Sequence, residues 1–141
     1  MIHDEICTYE VAKLAKEKGF PQQYDSLTHI YGGKNSFNVG IDLKYKKCEG
    51  TLFDISEWNP CLNDIAAPTQ SLLQRWLREE ENIHIEIIAT ASGYYWCISE
   101  TNGTSITDSD VIDRGTNEGG CFDTFELCLE DALKYILQNL V

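Results

Sequence analysis

The chemistry that the sequence offers most directly is that of His84 and Glu86, which are separated by one residue in "NIHIEI". In zinc deaminases an HxE pair supplies a zinc ligand and a proton shuttle, but that pair opens a helix and a CxxC motif follows it. Here alternation of isoleucine with polar residues predicts a strand, and the nearest thiol is Cys97 on the predicted partner strand. His84, Glu86 and Cys97 are therefore candidate metal ligands, although two polar side chains on a sheet face are the simpler interpretation.

Six cysteines and three histidines could also supply a nucleophile with its general base. No motif specifies which residues would pair, and no CxxC spacing indicates a zinc knuckle or a dithiol redox centre. We expect the cysteines to be reduced thiols and most of them to be small core residues. A thiol- or metal-dependent enzyme using His84, Glu86 and Cys97 is the alternative hypothesis, and the sequence predicts no cofactor and no catalytic residue.

Two further groups of residues could contact a partner. Asp108, Asp110 and Asp113 resemble part of a calcium loop, but an apolar residue stands where the third ligand belongs and no closing Glu follows, so a solvated loop is favoured. Tyr94 and Trp96 lie in the predicted strand "YYWCIS", where rings that face away from the helices would form an exposed aromatic patch. These five residues are the predicted partner-binding residues.

The bulk composition predicts a soluble domain. At 141 residues, with 43% hydrophobic and 24% charged residues, the chain is long enough to bury a core unaided. The net charge of −12 argues against direct binding to nucleic acid, since that affinity comes from Lys and Arg on phosphates. Solubility is the simpler interpretation of an acidic surface, and such a surface also suits a partner with a basic surface, including the nucleic-acid groove of another protein.

The start of the sequence and its apolar runs predict where the protein resides. Met1 to Cys7 contains two acids and no basic region, unlike a secretory signal. No apolar run approaches the roughly 20 residues of a membrane span. We therefore expect a cytoplasmic protein with no membrane association.

The elements of the first half are a helix and several strands. The helix is predicted over Thr8 to Lys18, with a stop signal in "GFP". "SLTHIY" and the alternating "FNVGIDLKYKK" predict a hairpin with "GGKN" as its loop. A short strand around Thr51 to Ile55 is expected next, followed by loop.

The elements of the second half alternate in type. A helix follows Pro68 and ends in Glu79, Glu80 and Glu81, where the helix dipole disfavours anions. The strand "IHIEI", the turn "TASG" and the returning strand "YYWCIS" come next, then a long acidic loop with a brief strand at 110–113. A DxxE capping box beginning at Asp123 opens a helix that runs to the end. The order predicts one α+β domain over residues 1–141, with about three helices on a largely antiparallel sheet.

Three runs of the sequence are the basis of a resemblance to other proteins: "YEVAKLAKEKGF", "APTQSLLQRWLREEENIHIEI" and "EDALKYILQNL". With them the chain resembles short uncharacterised proteins of phages, prophages and mobile elements of gut Bacteroidales. The resemblance implies an accessory protein expressed inside a bacterial host, and it brings no catalytic residue. Together with the acidic charge it favours a small non-enzymatic protein that binds a host or phage protein, with a structural homo-oligomer as a further alternative.

Overall fold

The computed structural model describes residues 4–22, 27–33, 37–39, 45–47, 49–54, 64–109 and 121–141. Within these residues the chain forms three α-helices and antiparallel sheets, which confirms the predicted α+β fold. Contacts divide the chain into two compact units. We call Ile6–Thr69 the N-terminal unit, and Gln70–Val141 together with Met1–Glu5 the C-terminal unit. None of the helices in the described residues is long and apolar enough to cross a membrane.

The first helix, α1 (Tyr9–Glu17), begins and ends as the sequence predicts. The Thr8 hydroxyl caps the helix by accepting a hydrogen bond from the Val11 backbone N–H at 3.3 Å. Gly19 has a φ of +96°, and the Phe20 N–H donates to the Ala15 carbonyl at 2.9 Å. This six-residue closure is the Schellman arrangement, which satisfies carbonyls that the helix end leaves unpaired.

A three-stranded antiparallel sheet completes the N-terminal unit, with β1 (His29–Tyr31) between β4 (Leu52–Asp54) and β5 (Ile65–Ala67). Strand β4 confirms the strand predicted around Thr51. Strand β5 lies where the sequence predicts loop, and that prediction was wrong. All three β5 residues are buried, so the strand has no alternation by which it could be recognised.

The predicted hairpin between "SLTHIY" and "FNVGIDLKYKK" is also wrong. Both edges of β1 are occupied by β4 and β5, and the second run contains two strands, β2 (Phe37–Val39) and β3 (Tyr45–Lys47), that pair with each other. Period-two alternation gives the face of each side chain but not the partner of the strand. A run that folds back on itself keeps the same pattern as one long strand.

The C-terminal unit has the elements α2 (Gln70–Glu80), β6 (Ile83–Thr90), β7 (Gly93–Glu100), β8 (Ser105–Asp108) and α3 (Phe125–Asn139). Its sheet has the order β6-β7-β8 with antiparallel pairs, and the predicted helix and strand pair after Pro68 are confirmed. Strand β8 lies inside the stretch predicted as loop. The brief strand predicted at 110–113 lies outside the described residues.

One face of this sheet packs on the two helices and forms the core of the unit. Ile85, Trp96 and Ile98 are each no more than 3% exposed. The helices contribute buried side chains at helical spacing, namely Leu73 and Leu77 of α2 with Cys128, Leu129, Ala132, Leu133, Ile136 and Leu137 of α3. The apolar periodicity of both helices predicts these positions, but Phe125 at the start of α3 is 43% exposed, and Leu72 and Trp76 of α2 are only half-buried.

The cap of α3 is Thr124 and not Asp123. Thr124 has an extended backbone and its hydroxyl accepts the Leu127 N–H at 3.1 Å. Aspartate and threonine cap helices almost equally well, so the sequence pattern cannot choose between two neighbouring candidates. The backbone conformation at the helix entrance decides the choice.

Candidate functional site

The strand register places Glu86, Cys97 and Asp108 in one row across the sheet of the C-terminal unit. Glu86 on β6 pairs with Cys97 on β7, and Cys97 pairs in turn with Asp108 on β8. Directly paired residues share a face, and successive residues alternate between faces. The row therefore lies on the face opposite the buried Trp96 and Ile98.

His84 lies on the same face but outside this row. It is exposed, and its partner on β7 is Ser99, so it occupies a position diagonal to Cys97. Such diagonal pairs are typically about 7–8 Å apart between Cα atoms, so His84 is not directly opposite Cys97 in the sheet. Among the residues that the structure describes, no three His, Cys, Asp or Glu side chains form a group that could hold a metal ion.

The neighbours of Cys97 also bear on nucleophilic chemistry. A catalytic cysteine is activated by a nearby cation or base that stabilises its thiolate. The two positions paired with Cys97 hold the carboxylates Glu86 and Asp108, whose negative charge works against a thiolate. The register places Cys97 between two carboxylates and leaves His84 outside their row, an arrangement unfavourable to that chemistry.

The predicted partner-binding residues divide into three cases. Trp96 is fully buried, its indole N–H donates to Asp131 Oδ2 at 2.9 Å, and its ring lies 5.3 Å from that of Tyr135. It is a core residue, which corrects its assignment to an exposed patch, because its strand position faces α3. Tyr94 and Asp108 are half-buried, and Asp110 and Asp113 lie outside the described residues.

A buried thiol on α3 belongs to the core and not to a reactive site. Burial, as the largest cause, and the nearby Asp131, Cys121 and Cys97, as smaller ones, together raise the pKa of Cys128 from 9.0 to about 12. The thiolate is the reactive form of cysteine, so Cys128 is inert near neutral pH.

This pKa predicts how the free energy of unfolding depends on alkaline pH. The unfolded chain loses the Cys128 proton near pH 9 and the folded protein near pH 12, so stability is full below pH 9 and falls as the pH rises toward 12. The loss is at most about 1.4 kcal/mol per pH unit. Urea unfolding from pH 8 to 10.5 should show a shallower decline for Cys128→Ala than for the natural chain, and parallel declines would contradict the assignment.

A pocket of about 570 Å³ lies at one end of the C-terminal unit. It is lined by residues that follow α2, begin β6, end β7, lie on β8 and follow α3, namely Glu81, Asn82, Ile83, Glu100, Thr101, Asn102, Ile106 and Leu140. Sequence reasoning missed this pocket. The available signal was the run of three glutamates at the end of α2, an unfavourable position for helix stability that calls for another explanation.

Hydrogen bonds connect several of the residues that line the pocket. The Thr101 N–H donates to the Asn82 carbonyl at 3.0 Å, and the Glu100 N–H donates to the Thr104 carbonyl at 2.8 Å. The Thr104 N–H also donates to Asn102 Oδ1 at 2.9 Å. The first of these bonds joins the residue before β6 to the turn between β7 and β8, and the other two close that turn.

Charge is divided unequally between the two units. The described residues of the C-terminal unit hold 12 Asp and Glu against 3 Lys and Arg, a net charge of −9. Those of the N-terminal unit hold 5 acidic and 5 basic residues, a net charge of zero. Most of the −12 of the whole chain is therefore carried by one unit.

No protein-family model matches the chain, and neither the curated proteins nor the solved structures contain a significant match.

Proposed function

We propose that this chain is a small acidic interaction protein that binds a protein with a basic surface, and that the C-terminal unit does the binding. The observation that carries the proposal is the division of charge, −9 on the described residues of one unit against zero on those of the other. A requirement for solubility alone gives no reason to concentrate charge in this way. A concentrated negative field raises the rate at which a basic partner is captured.

The placement of the acids within the unit supports the same function. Glu79, Glu80 and Glu81 are all exposed around the C-terminal end of α2, where the helix dipole also has its negative end. Glu79 forms an ion pair with Arg75 at 2.9 Å, between two exposed side chains one helical turn apart. Placing like charges at this end costs helix stability, and binding a cationic surface would offset that cost.

The resemblance to short proteins of phages, prophages and mobile elements indicates where the protein would act. An accessory protein of such an element acts inside the bacterial cell, so the partner is a host or phage protein of the cytoplasm. The acidic surface would then occupy a basic region of that protein, such as a groove that otherwise holds nucleic acid.

Neutralising the three glutamates tests the proposal. The variant Glu79→Gln/Glu80→Gln/Glu81→Gln should lower capture of the partner roughly tenfold, because long-range attraction is weakened and rim contacts are lost. The measurement is a pull-down from lysate of a Bacteroidales host at low salt, with elution at high salt and identification by mass spectrometry.

The matched control removes the same charge from the neutral unit. Glu10, Glu17 and Glu49 are exposed there, and their replacement by Gln should leave capture unchanged within about twofold. Equal losses for the two triple variants would contradict binding through the C-terminal unit. Recovery of no protein that high salt releases would contradict the proposed function itself.

A further inference from the structure

The apolar residues that line the pocket of the C-terminal unit are Ile83, Ile106 and Leu140. Ile106 is 40% exposed although it lies on a strand of the sheet. The register explains this exposure, because Ile98 pairs with Thr107 while Ser99 pairs with Ser105, which leaves Ile106 as the extra residue of a β-bulge. Bulges redirect side chains at sheet edges, and this one directs an isoleucine into the pocket.

The polar lining of the same pocket is acidic, and none of the described residues that line it is Lys or Arg. Glu81 and Glu100 supply two exposed carboxylates, and Asn82, Thr101 and Asn102 supply neutral groups. Two helices also end beside the pocket, since Glu81 directly follows α2 and Leu140 directly follows α3. The negative ends of both helix dipoles therefore add to the carboxylates.

A pocket lined by both apolar side chains and carboxylates matches one kind of protein side chain. Arginine packs its aliphatic stem on apolar surface while its guanidinium donates planar paired hydrogen bonds to carboxylates. The pocket volume of about 570 Å³ exceeds the needs of one side chain and suits a short peptide segment. A metal ion is a poorer match, since the described residues bring no three ligands together.

We infer that this pocket binds an extended segment of the partner protein in which an arginine lies beside an apolar residue. The apolar residue and the arginine stem pack on Ile83, Ile106 and Leu140, and the guanidinium binds the Glu100 carboxylate, with Glu81 adding negative charge. The inference rests on the proposed function and names the part of the C-terminal unit that anchors the partner. The hydrogen-bonded turn at residues 100–104 reduces the ordering that binding requires.

A peptide probe tests the inference directly. The probe is a short fluorescein-labelled peptide of alternating arginine and leucine, and its control replaces each arginine by citrulline, which keeps the shape and removes the charge. Fluorescence anisotropy should show binding of the arginine peptide to the whole protein. Glu100→Gln and Ile106→Ser should each weaken it roughly tenfold, as loss of one charge-assisted bond or one apolar contact predicts.

Two matched variants distinguish binding in the pocket from nonspecific electrostatic binding and from nonspecific hydrophobic binding. Glu86→Gln removes the same charge from an exposed position elsewhere on the sheet, and Leu127→Ser removes an apolar side chain that is 57% exposed on α3. Each should change the affinity by less than about twofold. Amide shifts in NMR spectra with the peptide should cluster at residues 81–83 and 100–106.

Three results would overturn the inference: equal weakening by Glu86→Gln and Glu100→Gln, equal binding of the citrulline peptide, or no binding of the arginine peptide. If the glutamate triple variant of α2 still loses the cellular partner while Glu100→Gln and Ile106→Ser retain it, the proposed function stands and the pocket assignment falls. If the glutamate triple variant and the two pocket variants all lose the partner, both the proposed function and the pocket assignment are supported.

Discussion

Trp96→Ala is expected to lower the free energy of unfolding by about 3–5 kcal/mol, the range for a large aromatic removed from a core. Trp96 is fully buried at the centre of β7, and its backbone N–H and carbonyl both bond to Ser109, at 3.1 and 3.0 Å. Its ring lies 5.3 Å from that of Tyr135 on α3. Truncation would leave a cavity between the sheet and the helix that packs on it.

Trp96→Phe is the matched variant for this prediction. It keeps an aromatic ring and removes the indole N–H that donates to Asp131, so we expect a loss of about 1–2 kcal/mol. Urea unfolding followed by far-ultraviolet circular dichroism measures both variants. A loss below about 1 kcal/mol for Trp96→Ala would show that Trp96 is not a core residue.

Gly93→Ala is expected to cost about 2–5 kcal/mol, from backbone strain and from a collision. Gly93 begins β7 with a φ of +130°, which L side chains rarely adopt. A Cβ at this position would meet the Phe122 carbonyl, with the carbonyl carbon at 3.2 Å and the oxygen closer still. The contact cannot relax cheaply, because Tyr94 and Phe122 exchange two backbone hydrogen bonds at 2.8 and 2.6 Å.

Gly103→Ala separates the two contributions to that loss. Gly103 has a φ of +91°, and a Cβ added to it would meet no atom within 4 Å, so its substitution carries strain without a collision. We expect a loss of about 1–2 kcal/mol for it, measured by the same urea unfolding. Equal losses at Gly93 and Gly103 would mean that the pairing of Tyr94 with Phe122 does not confine the start of β7.

Part of the candidate site could be predicted from the sequence. Alternation in "IHIEI" correctly placed His84 and Glu86 on the face opposite the isoleucines, since period two is a local property of the chain. It could not show that Cys97 pairs with Glu86 and not with His84, because register depends on the turn and on packing of both strands. A shift of one pair would have given a different set of neighbours.

The pocket could not be predicted from sequence because its lining comes from four separate places along the chain. Glu81 and Leu140 are far apart in sequence, and they meet only because α2 and α3 pack on the same sheet and end on the same side of it. The bulge that exposes Ile106 depends on the register of β8, which lies in a stretch of polar and small residues without a strand pattern. The sequence shows an excess of acidic residues, but it does not show which of them lie close together in the folded protein.

By itself, the sequence determined the α+β class, the ends of α1, the buried faces of α2 and α3, and the β6 and β7 pair, because capping, helical periodicity and alternation are properties of neighbouring residues. Only the tertiary structure decided the partners of β1, the short buried strand β5, the burial of Trp96 and the pocket at the helix ends. Each of these depends on which segments, distant in sequence, pack together. Burial of apolar surface stabilises such packing whatever the sequence separation of the segments.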